Sequence, residues 1–466
     1  MSILEKLSPQ ALYNHSPTWL QNLLCSAEGL RLSQRRYDDD FARQSAEFEA
    51  LTFASMEQIE RMRENRLHDI LAAARNTRFW RPRLDDCSPA SSPREILAQL
   101  PLIDKATVKA DIDAFIDARV EKTYSAHTSG TTGSGLVFPI VREFERAQWV
   151  VWWRYRHWHG IQRDTWCGYF GGRSVVPLAN SHQPYWRMNY AGRQVMFSAY
   201  HLSPTTARDY VTALNRFQPK WLHGYPSQLT LLASLMSEQD LRLNYSVEVI
   251  TIGAESLLES QKQLLHSVFD CPVRQHYGLA EGVANISECP HGNLHIDEDF
   301  AIVEMVPLND GSNLHQLVGT NLFNTAMPLL RYHTGDLVIP SSRTCQCGRP
   351  GRLIETIMGR QEDVITLPNG ARVGRLDHIF KDMVNVMEAQ IVQRQSDRLV
   401  LRVVRGENYS DADEAELRRA ARERLGEAIG IDIEYAASLE RGPNGKLKFV
   451  ISHLQQPGAS PTGRHS

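Results

Sequence analysis

The chain has 466 residues, a formal net charge of -3, 42% hydrophobic and 23% charged residues. That length accommodates two or more domains, the balance is that of a globular protein, and the near-neutral charge gives no ground for general attraction to nucleic acid or membrane surfaces. Seven cysteines do not make a disulfide scaffold here, and no apolar stretch is long enough to span a bilayer. The opening MSILEKLSPQ lacks the basic-then-apolar pattern of a signal peptide. A cytoplasmic enzyme or binding protein is therefore expected, without nucleic-acid or membrane partners.

In chain order, residues 1–120 read as mostly helical and charged, the periodic run Met56–Arg75 being an example. Residues 121–359 alternate β-prone and helical runs, as at Thr165–Phe170, Val247–Ile252, Val273–Tyr277 and Gln316–Thr320. This pattern predicts an α/β unit of mixed or parallel sheets with covering helices, forming one large N-terminal domain over residues 1–359. The aromatic stretch Trp149–Trp158 reads as a helix packing its apolar face. After residues 360–363 the texture changes. Val364–Leu367 and Ala371–Val373 flank Pro368-Asn369-Gly370 as a hairpin. A short helix follows, then strands Glu388–Gln393 and Arg398–Val404, a charged helix Asp411–Leu425 and a strand Asp432–Ala437. Residues 364–455 therefore form a small α+β domain, and 456–466 a disordered tail.

The most informative segment is Ser129-Gly130-Thr131-Thr132-Gly133-Ser134-Gly135, set between the β-prone runs Tyr124–Thr128 and Leu136–Val141. Glycines let the backbone approach an anion, while hydroxyls and successive N–H groups supply donors for phosphate oxygens. Leu136 follows Gly135, so the Gly-Lys-Ser/Thr ending of the common phosphate loop is absent. The cation that offsets polyphosphate charge must come from elsewhere.

Further short motifs accompany the loop: Gly253-Ala254-Glu255, Gln275-His276-Tyr277-Gly278-Leu279-Ala280-Glu281, Arg331–Leu337 around Asp336, Gly359-Arg360 and Pro443-Asn444-Gly445-Lys446. Their joint order resembles the adenylate-forming acyl-CoA synthetase superfamily, in its phenylacetate–CoA ligase and capsular-polysaccharide CapK branch. The resemblance runs from about Leu100 to about Ile451. It implies a large N-terminal domain, a small mobile C-terminal α+β domain, and ATP-dependent activation of a carboxylic acid with release of pyrophosphate. Acyl transfer to coenzyme A would follow.

By the same resemblance, Ser129, Gly130, Thr131, Thr132 and Gly133 hold the β- and γ-phosphates. Gly253, Ala254 and Glu255 form one wall of the nucleotide site, and Gln275, His276, Tyr277 and Gly278 another, with Tyr277 stacking on adenine. Glu281 carries Mg²⁺, Asp336 accepts from the ribose hydroxyls, and Arg360 faces ribose or phosphate. The missing cation arrives as Lys446 from the small domain, with Lys448 a competitor, and residues 360–363 serve as the hinge. Two departures stand out. Ala280 replaces a hydroxyl residue that contacts phosphate, and Glu362 replaces a hinge Asp.

Cys289, with His291 or His295, and Cys345 with Cys347 suit tetrahedral Zn²⁺. The resemblance favours His295 and a closed, structural site. For the acid, Gly171, Gly172 and Arg173, then His201, then Gly224 and Tyr225 lie at or near ends of β-prone runs, where ligands gather in open α/β sheets. Two rival readings remain. One is an adenylating ligase that delivers its acyl group to an amine, sugar or carrier protein. The other is a catalytically silent, zinc-stabilised nucleotide-binding protein.

Overall fold

A computed structural model describes residues 9–128, 136–177, 179–308, 310–360, 365–366, 368, 372–373, 376–380, 385–425, 429–441 and 447–454. Seven helices open the chain: α1 (Pro9–His15), α2 (Thr18–Arg36), α3 (Asp39–Ala50), α4 (Met56–Ala74), α5 (Trp80–Asp85), α6 (Pro93–Gln99) and α7 (Lys105–Ala110). Their starts are written in the sequence. Asp38 accepts from the Phe41 amide at 2.9 Å, and Ser55 with Gln58 and Ser92 with Glu95 form reciprocal capping boxes. These helices are not a separate body. Phe41, Leu67, Ile70, Trp80 and Phe115 share one core with Phe144, Val283, Phe300 and Phe323 further along the chain.

Strands β1 (Tyr124–His127) and β2 (Val137–Ile140) pair antiparallel, and helix α8 (Arg142–Trp158) follows. Next come β3 (Cys167–Phe170), β4 (Trp186–Asn189), β5 (Gln194–Phe197), α9 (Ala207–Phe217), β6 (Trp221–Gly224), α10 (Pro226–Glu238), β7 (Val249–Ile252), α11 (Glu259–Phe269) and β8 (Val273–Gly278). Strands β5, β3, β6, β7 and β8 lie parallel side by side. The four-residue strands β3, β5, β6 and β7 are largely apolar, as a strand covered on both faces requires. Antiparallel strands β9 (Asn285–Glu288), β10 (Leu294–Ile296), β11 (Ala301–Pro307), β12 (His315–Asn321), β13 (Tyr332–Ser341) and β14 (Leu353–Arg360) extend this into one mixed sheet of 12 strands. Helices α9, α10 and α11 cover one face through a second core of Tyr210, Leu214, Leu229, Leu232, Leu265 and Phe269.

The C-terminal unit is smaller. A short hairpin pairs β15 (Ile365–Thr366) with β16 (Arg372–Val373), as the Asn-Gly turn signal predicts. A four-stranded sheet contains β17 (Val386–Gln395), β18 (Arg398–Arg405), β19 (Gly430–Tyr435) and β20 (Val450–Ser452) in the order β19-β18-β17-β20. Helix α12 (Asp411–Leu425) and the turn Leu376–Phe380 pack on it around Ile391, Leu401, Leu417 and Leu425. Strand β20, which the sequence reading does not foresee, runs parallel to β17. The architecture is α/β, a large domain followed by a small C-terminal one. Among the described residues, no helix is long and apolar enough to cross a membrane.

Candidate active site

The parallel strands β3, β6, β7 and β8 end on the same edge, and a cavity of about 790 Å³ lies beyond the ends of β7 and β8. Open α/β sheets bind ligands at this edge because successive loops diverge there. Its first wall is the turn Gly253-Ala254-Glu255 after β7. Ala254 has φ 68°, a left-handed conformation that costs a non-glycine residue about 1–2 kcal/mol. The strain turns the chain so that the Glu255 carboxylate faces inward. That carboxylate accepts from the Ser227 amide and hydroxyl, each at 3.2 Å, and from the Leu447 amide at 2.9 Å. Burial pushes its pKa up, with the three donors opposing.

The second wall is Gln275, His276, Tyr277 and Gly278 on β8. The Tyr277 hydroxyl donates to Asp336 Oδ2 at 2.6 Å, joining the end of β8 to β13. A bulge aims Asp336: three residues of β13, Thr334 to Asp336, stand opposite Leu317 alone on β12. Gly335 turns at φ 81°, and the Thr334 hydroxyl accepts from the Asp336 amide while donating to the Leu317 carbonyl. Asp336 is 5% exposed yet lines the cavity. Its strand partner is Arg360, the last residue of β14.

Glu281 is equally buried and also lines the cavity, with Tyr332 donating to its Oε1 at 3.3 Å. Asn321 holds the loop from behind through the Glu281 and Gly282 carbonyls. Gly282, at φ 62°, sits where a Cβ would lie 2.1 Å from the Phe144 ring, so only glycine fits. His276 is enclosed, and burial followed by the charge of Arg156 keeps its imidazole neutral, with a pKa of about 3.

The small domain closes the cavity with Glu388 of β17 and with Leu447, Lys448 and Phe449. Arg441 spans both domains, pairing with Glu388 and donating to the Ser227 hydroxyl at 2.9 Å. Ser129, Gly130, Thr131, Thr132 and Gly133 lie outside the described residues, as do Glu362 and Lys446; of Arg360, only the backbone is described. The stem of the Ser/Thr/Gly loop is visible, however. The Thr128 amide donates to the Leu136 carbonyl at 2.9 Å, the Leu136 amide donates to the Thr128 hydroxyl at 2.7 Å, and Thr128 lines the cavity.

The six acid-pocket candidates form a neighbouring group that does not line this cavity. The Tyr225 amide donates to the Phe170 carbonyl, and the Tyr225 hydroxyl meets the Gly172 backbone. His201 bonds Ser198 and stacks on Tyr185, and Arg173 is exposed. Gly224 packs so closely that a Cβ would meet the Phe170 carbonyl at 2.3 Å. Thr128, Ser227, Tyr332 and Arg441 are site residues that no motif assigned. Tyr332 lies inside the Arg331–Leu337 string, but its partner Glu281 is distant in the chain.

Cys289, His295, Cys345 and Cys347 converge, their ligand atoms within 4.8 Å of one another. The structure selects His295, which is buried, over the exposed His291. His295 Nδ1 can only donate to the Pro350 carbonyl, 3.2 Å away, which leaves Nε2 as a lone-pair donor 3.3 Å from Cys347 Sγ. Three sulfurs and one imidazole nitrogen in this arrangement fit a tetrahedral zinc ion.

A family model described as the CapK C-terminal domain matches residues 365–453. The chain is 26% identical to Protein CapK of Staphylococcus aureus over 465 residues, covering 95% of this chain and 99% of that one. It is 32% identical to a phenylacetate-coenzyme A ligase of Thermus thermophilus over 171 residues, 34% of this chain and 38% of that one. Among solved structures, 2-hydroxyisobutyryl-CoA ligase in its postadenylation state with 2-HIB-AMP superposes with a TM-score of 0.66 at 20% identity, covering 86% of this chain and 90% of that one.

Proposed function

The chain belongs to the CapK and phenylacetate–CoA ligase branch of the adenylate-forming enzymes, and from that premise we propose that it activates a carboxylic acid with ATP. A carboxylate oxygen attacks the α-phosphorus and pyrophosphate departs. The acyl carbon then passes to the thiol of coenzyme A and AMP leaves. Both partners of the first step are anions, so the site must supply positive charge and oriented donors.

The observation that carries this reading is the Tyr277–Asp336 pair on the cavity wall beside Glu281. Tyr277 offers a ring for adenine while its hydroxyl holds Asp336 at a fixed rotamer for the ribose hydroxyls. Glu281 suits a magnesium ion, being a carboxylate that lines the cavity; the ion would offset triphosphate charge. Ser129 to Gly133, carried on the Thr128–Leu136 stem, would wrap the distal phosphates. Lys446, one residue before the docked Leu447, would bring its ammonium between acyl carboxylate and α-phosphate, with residues 360–363 as the hinge that later removes it. Zinc at Cys289, His295, Cys345 and Cys347 would be structural, tying the end of β9 to the segment between β13 and β14.

Coenzyme A is the acceptor in the names of the ligases that match, which supports a thiol acceptor. The CapK match supports the rival acceptor, an amine, sugar or carrier protein. Pyrophosphate release measured over a panel of carboxylic acids, with and without coenzyme A, tests both. Acid-dependent release is the expected result, and a further rise with coenzyme A identifies the thiol route. No release with any acid, while ATP still binds, would support the silent nucleotide-binding reading.

A further inference from the structure

Arg156 is a cation with no anion beside it among the described residues. On the same helix α8, Arg154 is met by Asp297 and Asp299, as burial of a guanidinium demands. No carboxylate among the described residues comes within ion-pair distance of Arg156. Its guanidinium instead lies over the indoles of Trp149, Trp153 and Trp221, at 5.8, 4.7 and 5.2 Å from their ring centres. Arg156 is half-buried, so aromatic faces offset only a partial desolvation, and no acceptor among the described residues meets its hydrogen-bonding edge.

The groups its charge reaches are Tyr37, Tyr155, Cys167 and Tyr169, then His223 on β6 and His276 on β8. None of these is a carboxylate. Tyr169, His223 and Thr251 lie in register across β3, β6 and β7, on the face that meets α8. His223 Nδ1 donates to the Thr251 carbonyl at 3.0 Å, so this imidazole does not neutralise Arg156. His276 is the wall shared with the nucleotide cavity. It lines that cavity, and its ring packs against Trp152 and Tyr155 at 5.8 and 5.2 Å.

We propose that Arg156 receives a second carboxylate, at the far end of the acid that is activated, so that the substrate is a dicarboxylic acid. The proposal rests on the reading of the cavity as an acid-activating site. One carboxylate would stand at the nucleotide side of His276. The other would meet the planar guanidinium fork, whose two parallel donors match a carboxylate, and the indoles would flank the body between them.

Indole fluorescence reports on this place directly, since the guanidinium stacks on three tryptophans. The full-length protein is titrated with two matched pairs, phenylacetate against 4-carboxyphenylacetate and hexanoate against adipate. The expected result is tighter binding of the diacid in at least one pair, by about tenfold or more. Arg156→Met should erase that preference while changing the monoacid affinity by less than about twofold, and Arg156→Lys should keep part of it. No preference in either pair, a preference unchanged by Arg156→Met, or equal loss of both acids would overturn the proposal. If Arg156→Met does not fold, the wild-type comparison within each pair decides alone. Pyrophosphate release run in parallel separates the two readings. A diacid bound through Arg156 but never adenylated defeats the ligase reading alone, whereas adenylation without a charge preference defeats the Arg156 assignment alone.

Discussion

The Leu447 amide donates to the Glu255 carboxylate at 2.9 Å, so the segment that follows Lys446 is docked on the wall of the proposed nucleotide site. Glu255 joins three donors, two from Ser227 and one from the small domain. Glu255→Ala leaves those donors without an acceptor, a loss of about 1–3 kcal/mol in the docked arrangement. Acid-dependent pyrophosphate release should fall about 10- to 100-fold, with ATP affinity nearly unchanged by calorimetry. A fall in ATP affinity with turnover intact would assign Glu255 to the nucleotide alone.

Tyr277 and Asp336 make a second test. Tyr277→Phe keeps the ring and removes the donor, leaving a 5% exposed carboxylate one hydrogen bond short. ATP affinity should weaken by about tenfold, the scale of one charge-assisted hydrogen bond. Asp336→Asn should narrow the difference in affinity between ATP and 2′,3′-dideoxy-ATP. If the wild type binds both nucleotides equally, Asp336 does not read the ribose.

Much of this fold is legible in residue order because its signals are local. Ser55 and Gln58 start α4, and the apolar period carries it to Ala74. The charged run Asp411–Leu425 is helical throughout, and the hairpin strands at residues 365–373 sit where the Asn-Gly turn puts them. Strand β20 has no such signal: three residues long, it is made by parallel pairing with β17, some sixty residues earlier. The site divides in the same way. Gly253–Glu255, Tyr277 and Asp336 lie in short strings with a fixed order, whereas Arg441 meets Ser227 across 214 positions, a pairing that neither residue's neighbours in the chain signal. The run Trp149–Trp158 announces a buried helical face. That Arg154 has acids, and Arg156 none among the described residues, depends on residues 297 and 299 and on strands far from the helix.

Lys446 and Lys448 are separable by substitution. Lys448 lines the cavity, and its carbonyl accepts from Gln390 Nε2 at 2.8 Å, which fixes its backbone on β17. Lys446→Ala should lower acyl-adenylate formation by about 100-fold or more while ATP still binds, the scale for losing one positioned group in a transition state. Lys448→Ala should cost about tenfold or less. The reverse order of effects would move the catalytic role to Lys448, and undiminished pyrophosphate release in both would remove it from this turn.

The cysteine–histidine cluster makes a prediction about composition and stability together. Metal analysis of the purified chain should find about one zinc per molecule, because four protein ligands fill a tetrahedral site. Cys345→Ser should abolish zinc retention and lower the melting temperature by several degrees, since metal bound only to the folded state stabilises it. Asn293 donates to the Cys345 sulfur at 3.1 Å, so Asn293→Ala should weaken zinc retention by about tenfold with all four ligands intact. A metal-free protein of undiminished stability would refute the site.

The half-buried imidazoles of His223 and His276 contribute to the acid limb of stability. Burial, reinforced by Arg156, holds each near a pKa of about 3, against an ordinary 6.5. Below 6.5 the unfolded chain takes up protons at these positions and the folded chain does not, so their effect on stability is neutral above that pH and increasingly adverse as it falls toward 3. Each contributes a slope of about 1.4 kcal/mol per pH unit, or about 2.7 for the pair. Urea midpoints should therefore change little above neutrality and drop steeply between about pH 6 and 4. His223→Gln should reduce that slope by about half of the pair's contribution, because glutamine cannot take up a proton in either state. An acid limb equally steep in this variant would mean that His223 is not held neutral by the fold, and that the helix-facing side of β6 is open to water.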